Sequence, residues 1–260
     1  MIGLVKAELQ KLFTTRLWWI MLLVMLVLVG VNLGLFIGFA GVSQNGAPAL
    51  PERDTVEWAR MAWSAGADGN VFAMILGVVM MTAEYRYQTI TGTFLTTPRR
   101  GRVIVAKLVG GLLVGLLFGL GALVFEAVVV IPTVLISGGE FSPAAWHIPQ
   151  TGLGIIATFA LYALFGIGLG TLVRNQVAGI VGAVVWSYVI ERILVAIPAL
   201  QPVGRWLPGG AAQSLLSIDV DTGLGRPELL PAWGGALVLA GYAVIFALVA
   251  SATTVRRDIT

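Results

Sequence analysis

The segment LWWIMLLVMLVLVGVNLGLFIGFA, residues 17–40, runs for 24 residues without a charged side chain. A helix of about 20 apolar residues crosses the hydrocarbon core of a bilayer, whereas the apolar part of a cleavable signal peptide has only about 7–15 residues. Residues 17–40 are therefore predicted to form a retained transmembrane helix.

Of the 260 residues in the chain, 58% are hydrophobic and 11% are charged, whereas a soluble domain has about 25% charged residues. This composition predicts an all-α integral membrane protein.

Five further apolar segments follow, each long enough for a span when its flanking residues are included. The predicted spans of a single transmembrane domain, residues 1–260, cover about residues 17–40, 66–85, 103–136, 152–173, 177–200 and 233–254. The third exceeds the bilayer thickness but is too short for a helical hairpin, so it is predicted to be one long helix with a candidate kink at Pro132. Residues 41–68 are predicted to be a polar loop. Residues 209–218 are too short to cross the bilayer and form a candidate re-entrant segment on the outer face.

The residues before the first span carry an apolar stripe with helical spacing. Its members are Ile2, Val5, Leu9, Leu12 and Phe13. The polar residues on the other side of the predicted helix are Lys6, Gln10 and Lys11. This pattern predicts an amphipathic helix at the membrane interface, with a disordered basic tail as the alternative.

The basic residues are distributed unevenly between the two sides of the predicted topology. Six spans place both termini on the same side, and 11 of the 16 Lys and Arg residues lie on that side. Cytoplasmic loops of membrane proteins are enriched in Lys and Arg. The asymmetry predicts a multi-pass protein of the cell (inner, cytoplasmic) membrane with both termini in the cytoplasm. Because the arginines cluster in short loops between apolar segments, membrane lipid and not nucleic acid is the expected partner of this charge.

Several motifs of catalytic proteins are absent from the sequence. Its only lysines are Lys6, Lys11 and Lys107, and none follows a glycine-rich loop, so the chain has no P-loop for ATP. There is one histidine, His147, and no cysteine, which excludes disulfides, thiol catalysis and the usual zinc sites. The chain is therefore predicted to have no enzyme activity, metal or cofactor of its own.

Away from their ends, the predicted spans contain three charged residues: Glu126 in the third, and Glu191 and Arg192 in the fifth. Ionisable groups inside a bilayer are costly unless they are paired or hydrated, so these residues are candidates for function. Glu126 is expected either to line a substrate pathway or to pair with Arg192, and proton transfer is a further alternative. The small residues of GLLVGLLFGLG, residues 111–121, are explained by close helix packing, with dimerisation as the alternative.

A polar segment separates the second and third spans. It reads EYRYQTITGTFLTTPRRGRVIVAKL, residues 84–108, and combines several threonines with a basic run from Arg99 to Arg102. Arginines at this position attract either a protein partner or anionic lipid. Lipid anchoring explains the arginines, but it does not explain the threonines or the apolar side chains beside them, such as Phe94. These residues favour a docking surface for a protein.

The order of residues in this segment resembles that of ABC-2 type permeases, the transmembrane subunits of bacterial ABC exporters. The matching residues are Glu84, Gly92, Thr93, Leu95, Pro98, the arginines from Arg99 to Arg102, and Lys107. Two further segments are similar to actinobacterial members of this family. They are AELQKLFTTRLWW, residues 7–19, and GLGTLVRNQVAGIVG, residues 168–182.

This resemblance implies a homodimeric or pseudo-dimeric permease with two copies of a separate ABC ATPase subunit on its cytoplasmic face. The segment between spans two and three would be the coupling helix, and its ATPase-coupling residues would be Glu84, Thr89, Gly92, Thr93, Phe94, Leu95, Pro98, Arg99, Arg100 and Arg102. ATP and Mg²⁺ would bind to the ATPase and not to this chain. The few charges in the spans suit an apolar or amphipathic substrate such as a drug, lipid or peptide. An ion-coupled secondary transporter that uses Glu126 and a membrane scaffold without transport are the alternatives.

Overall fold

The computed structural model describes residues 1–42, 50–88, 100–173, 175–197, 200–216 and 229–256. Within these ranges the chain is helical and forms no β-strand. The helices are α1 (Ile2–Phe13), α2 (Leu17–Gly38), α3 (Val56–Ser64), α4 (Asn70–Arg86), α5 (Arg100–Ile136), α6 (Ile148–Val173), α7 (Gln176–Val185), α8 (Glu191–Ala196), α9 (Gln201–Gly204), α10 (Pro208–Leu216) and α11 (Ala232–Arg256). A 3₁₀ segment, Ala65–Gly69, joins α3 to α4, and a π segment, Trp186–Ile190, joins α7 to α8.

Four helical stretches are long and apolar enough to cross a membrane. They are Leu17–Gly38, Val56–Arg86, Gly101–Ile136 and Ile148–Val173. Two shorter apolar helices, Gln176–Ile190 and Ala232–Ile245, lie where the fifth and sixth spans are predicted. The prediction of an all-helical chain with bilayer-length apolar helices is thus confirmed for the described ranges, whereas the total of six spans stays a prediction.

The second spanning stretch begins earlier than the sequence predicts. Residues 56–64, assigned above to a polar loop, form the helix α3. Its first turn is capped by Thr55, whose side chain accepts a hydrogen bond from the Trp58 main-chain N–H, as is typical of an N-cap threonine. Trp58 and Trp63 are buried against the other helices. Burial of one apolar face therefore outweighs the polar composition of this segment.

The third predicted span is one unbroken helix, α5, with Pro132 inside it, which confirms the single long helix. Residues 209–218, the candidate re-entrant segment, overlap α10, a nine-residue helix that packs against α6 and α11. Nine residues extend only about 14 Å, too short to cross a bilayer. The re-entrant path of this segment stays a prediction.

The small residues of α5 and α6 pack inside the chain. A Cβ atom at Gly115 would lie 2.6 Å from the Ala160 Cα of α6, and a Cβ atom at Gly166 would meet the Met74 carbonyl oxygen of α4. Glycine lets the two main chains approach closely at such crossings. The glycines of residues 111–121 thus serve helix packing, as the first of their two interpretations predicts.

The helices alternate in direction between two faces of the protein. On the first, the α1 face, α4 ends and α5 begins, and Arg86 donates a hydrogen bond to Gln176 at the start of α7 (Nη1–Oε1, 3.3 Å). On the second, the α3 face, Arg60 donates to the Ala145 carbonyl oxygen (2.7 Å) just before α6. The predicted topology requires this alternation of helix direction, and the described helices follow it as far as α6.

Candidate functional site

Four charged side chains meet on the α1 face. We call Glu8, Lys11, Glu84 and Lys107 the ionic cluster. The Nζ atom of Lys107 lies 2.6 Å from Glu8 Oε2 and 2.8 Å from Glu84 Oε1, and it also donates to the Met80 carbonyl oxygen at 3.2 Å. An ammonium group has three hydrogen atoms to donate, so all three are used. Lys11 Nζ completes the cluster at 2.7 Å from Glu8 and 2.8 Å from Glu84.

Three members of the ionic cluster are buried, Lys11 is about half exposed, and the cluster is electrically balanced. The exposed fractions of Glu8, Glu84 and Lys107 are 6%, 5% and 2%, and two carboxylates face two ammonium groups. Charged side chains are rarely buried to this extent unless they are paired. Partial burial would lower the pKa of Lys11, but its hydrogen bonds to Glu8 and Glu84 outweigh this effect and raise the pKa above its usual value. Lys11 therefore stays charged at physiological pH.

The N-terminal helix brings Glu8 to this place. The predicted helix is confirmed as α1, which packs against α5. Glu8 and Leu12 are buried, whereas Ile2 and Phe13 at the two ends are exposed. Sequence reasoning missed Glu8, although its position between Val5 and Leu12 places it on the same side as the apolar stripe.

Some of the predicted coupling residues are described by the structure, and the others lie outside the described ranges. Glu84 is in the ionic cluster, and Arg102 is exposed in the first turn of α5. The main chain of Arg100 begins α5, but its side chain lies outside the described residues. The remaining residues lie outside the described ranges as well: Thr89, Gly92, Thr93, Phe94, Leu95, Pro98 and Arg99. The structure thus defines the two ends of the predicted coupling segment.

The intramembrane carboxylate of Glu126 is fully buried in α5. It accepts a hydrogen bond from the Gly66 main-chain N–H of the 3₁₀ segment. Its second oxygen, Oε2, has no hydrogen-bond partner among the described residues, and Asp68 is close enough to interact with it electrostatically. The side chain of Arg192 lies outside the described residues, so its pairing with Glu126 stays a prediction.

A cavity of about 260 Å³ lies on the α3 face between α2, α3, the 3₁₀ segment, the π segment and α10. Glu191, the other predicted intramembrane acid, lines it and accepts a hydrogen bond from the Trp186 indole N–H at 2.6 Å. Asp68, Tyr162 and Tyr188 also line the cavity. Sequence reasoning placed Asp68 in a polar loop and did not connect it with Glu191. In the part of the chain that the structure describes, no group of three or more His, Asp or Glu side chains could hold a metal ion.

Comparison with known proteins assigns the family. A search of curated proteins gave no match. The family model described as ABC-2 family transporter protein matches residues 4–190, a range that contains the whole ionic cluster, Glu126 and the π segment. This match covers more than half of the chain and agrees with the resemblance found in residues 84–108. The chain therefore belongs to the ABC-2 family of transporter proteins.

Proposed function

We propose that this chain is the permease subunit of an ATP-driven exporter, in which two copies form the substrate pathway and two separate ABC ATPase subunits supply the energy. Family membership supports a membrane subunit that associates with an ABC ATPase in general. The absence of a P-loop motif from the sequence agrees with ATP binding by a partner. In this proposal the α1 face, which carries most of the basic residues, is cytoplasmic.

The observation that carries the proposal is the position of the ionic cluster. Glu84 lies near the end of α4, and Lys107 lies two turns into α5. The cluster therefore binds together the two helices that precede and follow residues 89–99, and Glu8 adds α1 to the same junction. A displacement of the segment by a partner protein would be passed to three helices at once, two of which belong to stretches of transmembrane length.

This arrangement gives the predicted coupling residues different roles. Glu84 is buried and bound to two lysines, so its carboxylate would hold the ends of the segment in place and would not touch the ATPase. Docking would depend on Arg99, Arg100 and Arg102 with the apolar side chain of Phe94. Charge complementarity at such a surface sets partner choice, and a central aromatic anchor contributes much of the affinity.

The proposal is tested by isolating the tagged chain from its native membranes in mild detergent. We expect an ABC ATPase subunit to co-purify with it, and we expect ATP hydrolysis by that complex. The chain purified alone should hydrolyse no ATP. Hydrolysis by the chain alone, or the absence of any ATPase from the native complex, would contradict the proposal.

A proton-coupled carrier is a second candidate, which one observation favours. Glu126 is fully buried, and Asp68 gives it a titratable neighbour on the α3 face. Transport by Glu126→Gln at several pH values separates the two functions. A permease driven by ATP should keep most of its transport, because glutamine retains an oxygen for the Gly66 N–H and removes a costly charge. Complete loss of transport together with its pH dependence would favour the proton-coupled carrier.

A further inference from the structure

The cavity on the α3 face lies far from the ionic cluster. Asp68 precedes Arg86 by 18 residues along the 3₁₀ segment and α4, which corresponds to roughly 27 Å at the rise of an α-helix. The hydrocarbon core of a bilayer is about 30 Å thick. The cavity is therefore close to the boundary of the bilayer opposite the proposed ATPase.

Two interruptions of regular helix meet at this cavity. Ala67 belongs to the 3₁₀ segment between α3 and α4, and Ser187 belongs to the π segment between α7 and α8. Irregular main chain at membrane depth is tolerated where it is buried in protein or lines a cavity. π segments inside α-helices occur frequently at functional sites. Two departures from regular helix at one cavity therefore favour a binding site.

The two acidic side chains of the described lining are held by the protein itself. Glu191 accepts a hydrogen bond from the Trp186 indole N–H. It also lies against the main chain of Gly209 in the first turn of α10, where a Cβ atom would overlap its carboxyl group. Asp68 and Glu191 both have further interactions within the chain. Buried charges in proteins are normally paired or hydrogen-bonded, and these two carboxylates therefore belong to the wall of the cavity.

Two serine hydroxyl groups of the lining have different surroundings. Ser64 Oγ donates a hydrogen bond to the Met61 carbonyl oxygen at 2.6 Å. Ser187 Oγ is buried as well, but it has no hydrogen-bond partner in the part of the chain that the structure describes. The large majority of buried polar side-chain atoms have a partner, and a hydroxyl group can both donate and accept. Ser187 therefore offers a hydrogen bond to a molecule inside the cavity.

Much of the remaining wall is apolar. Phe36 and Tyr162 contribute rings, and Met61, Val71 and Leu216 contribute aliphatic surface. Moving an ion into such surroundings is costly unless it finds a partner there. The volume of about 260 Å³ is below the range of about 300–1,000 Å³ that is usual for drug-sized ligands. The cavity therefore suits an uncharged ligand with about one ring and one hydrogen-bonding group.

We propose that this cavity binds small uncharged amphipathic molecules, in which an amide or hydroxyl group is joined to a single apolar group. The polar group of the ligand forms a hydrogen bond with Ser187 Oγ, and the apolar group packs against the rings of Phe36 and Tyr162. The description of this ligand as exported cargo rests on the proposed function. Its binding to the cavity does not.

The direct test uses the full chain in lipid nanodiscs and tritiated benzamide as the probe. Equilibrium binding should be saturable, and empty nanodiscs of the same lipid should show no saturable binding. Benzamidinium and benzoate have nearly the same shape as benzamide and carry opposite charges. Each should displace benzamide only at roughly tenfold higher concentration than unlabelled benzamide does, because burial of an ion is costly. Displacement by either ion at an equal or lower concentration, or no saturable binding of benzamide, would overturn the inference.

Matched variants locate the binding site. Ser187→Ala should weaken benzamide binding about fivefold, the usual effect of one neutral hydrogen bond. Ser64→Ala is the matched control in the same lining and should leave binding unchanged, because its hydroxyl group is already bound to the Met61 carbonyl oxygen. Ala212→Leu should abolish binding by filling the cavity, which Ala212 lines.

Variants are compared only where the unfolding temperature matches that of the parent chain. Equal affinities of Ser187→Ala and Ser64→Ala, or unchanged binding in Ala212→Leu, would overturn the inference. If a variant does not fold, the comparison of benzamide with its two charged analogues on the parent chain still decides the outcome.

The two proposals fail separately. If benzamide does not bind while the native chain still co-purifies with an active ATPase, the cavity inference is wrong and the permease function stands. If benzamide binds but no ATPase is found, the permease function is wrong and the cavity stands as a binding site.

Discussion

The Nζ atom of Lys107 lies 2.6 Å from the Oε2 atom of Glu8, a residue 99 positions earlier in the chain. Both side chains are almost completely buried. This ion pair fixes the N-terminal helix to the start of the longest helix in the described part of the protein. The short N-terminal helix is thereby tied to the rest of the helical bundle, although only Glu8 and Leu12 of its residues are buried.

Lys107→Met should destabilise the protein strongly. Removing one partner of a buried ion pair leaves uncompensated charge and typically costs about 3–5 kcal/mol, and here two carboxylates lose the more buried of the two lysines that they share. We expect a lower thermal unfolding temperature in detergent and a less monodisperse gel-filtration profile. Lys6→Met, on the exposed side of α1, should change neither. Adding Glu8→Gln and Glu84→Gln to Lys107→Met should restore part of the stability, and no recovery would contradict the pairing.

Reversal of Arg99 and Arg100 to glutamate should abolish ATPase binding and transport. Unfavourable charge contacts at a protein interface cost several kcal/mol, whereas membrane insertion should survive because most of the basic residues on that side remain. Phe94→Ala should weaken ATPase binding to a smaller degree. The measurement is co-purification from membranes with equal amounts of inserted protein. The matched control reverses Arg53 and Arg226, which are predicted to lie on the opposite face, and normal ATPase binding by the Arg99 and Arg100 variant would show that the ATPase docks elsewhere.

Gly66→Ala should destabilise the junction of the 3₁₀ segment with α5. A Cβ atom at this position would overlap the Glu126 carboxyl group, and overpacking of this kind costs about 1–3 kcal/mol. Gly34→Ala places its methyl group in open space and is the matched control. Because the clash requires the carboxyl group, Gly66→Ala should cost much less in an Glu126→Ala background. Equal unfolding temperatures for Gly66→Ala and Gly34→Ala would contradict the predicted contact.

Single cysteines should report the topology, since the natural sequence contains none. Cysteine at Ala47 or at Leu224 should react with a membrane-impermeant maleimide in intact cells. Cysteine at Thr93 should react only after the cells are permeabilised, and that reaction also shows that the thiol is accessible. The opposite labelling pattern would overturn the assignment of the α1 face to the cytoplasm.

The elements that sequence reasoning predicted best are those that depend on local pattern. The uninterrupted apolar segment of residues 17–40 corresponds to α2, and the long apolar run after Arg102 corresponds to α5. The polar residues around α3 suggest a loop, so the local pattern does not predict this helix. The helix forms because of tertiary packing. Its two tryptophans, Trp58 and Trp63, are buried in a hydrophobic cluster with residues that are distant in sequence.

The sites depend on such distant contacts to a greater degree. Glu84 and Lys107 belong to the pattern of residues 84–108, but their burial with Glu8 depends on the packing of α1 against α5. Asp68 and Glu191 are 123 residues apart, and no spacing rule joins them. Only the three-dimensional arrangement of the 3₁₀ and π segments brings them to one cavity.

The ionic cluster also sets an order of events during biosynthesis. Glu8 leaves the ribosome 99 residues before Lys107, and at about 5–20 residues per second this delay is on the order of 5–20 s. During that time the first transmembrane helix is already available for insertion, while the carboxylate of Glu8 has only Lys11 as a partner within its own helix. The N-terminal helix can therefore reach its final position only after the start of the third span has been synthesised, so assembly on this face proceeds from the later helices back to the first.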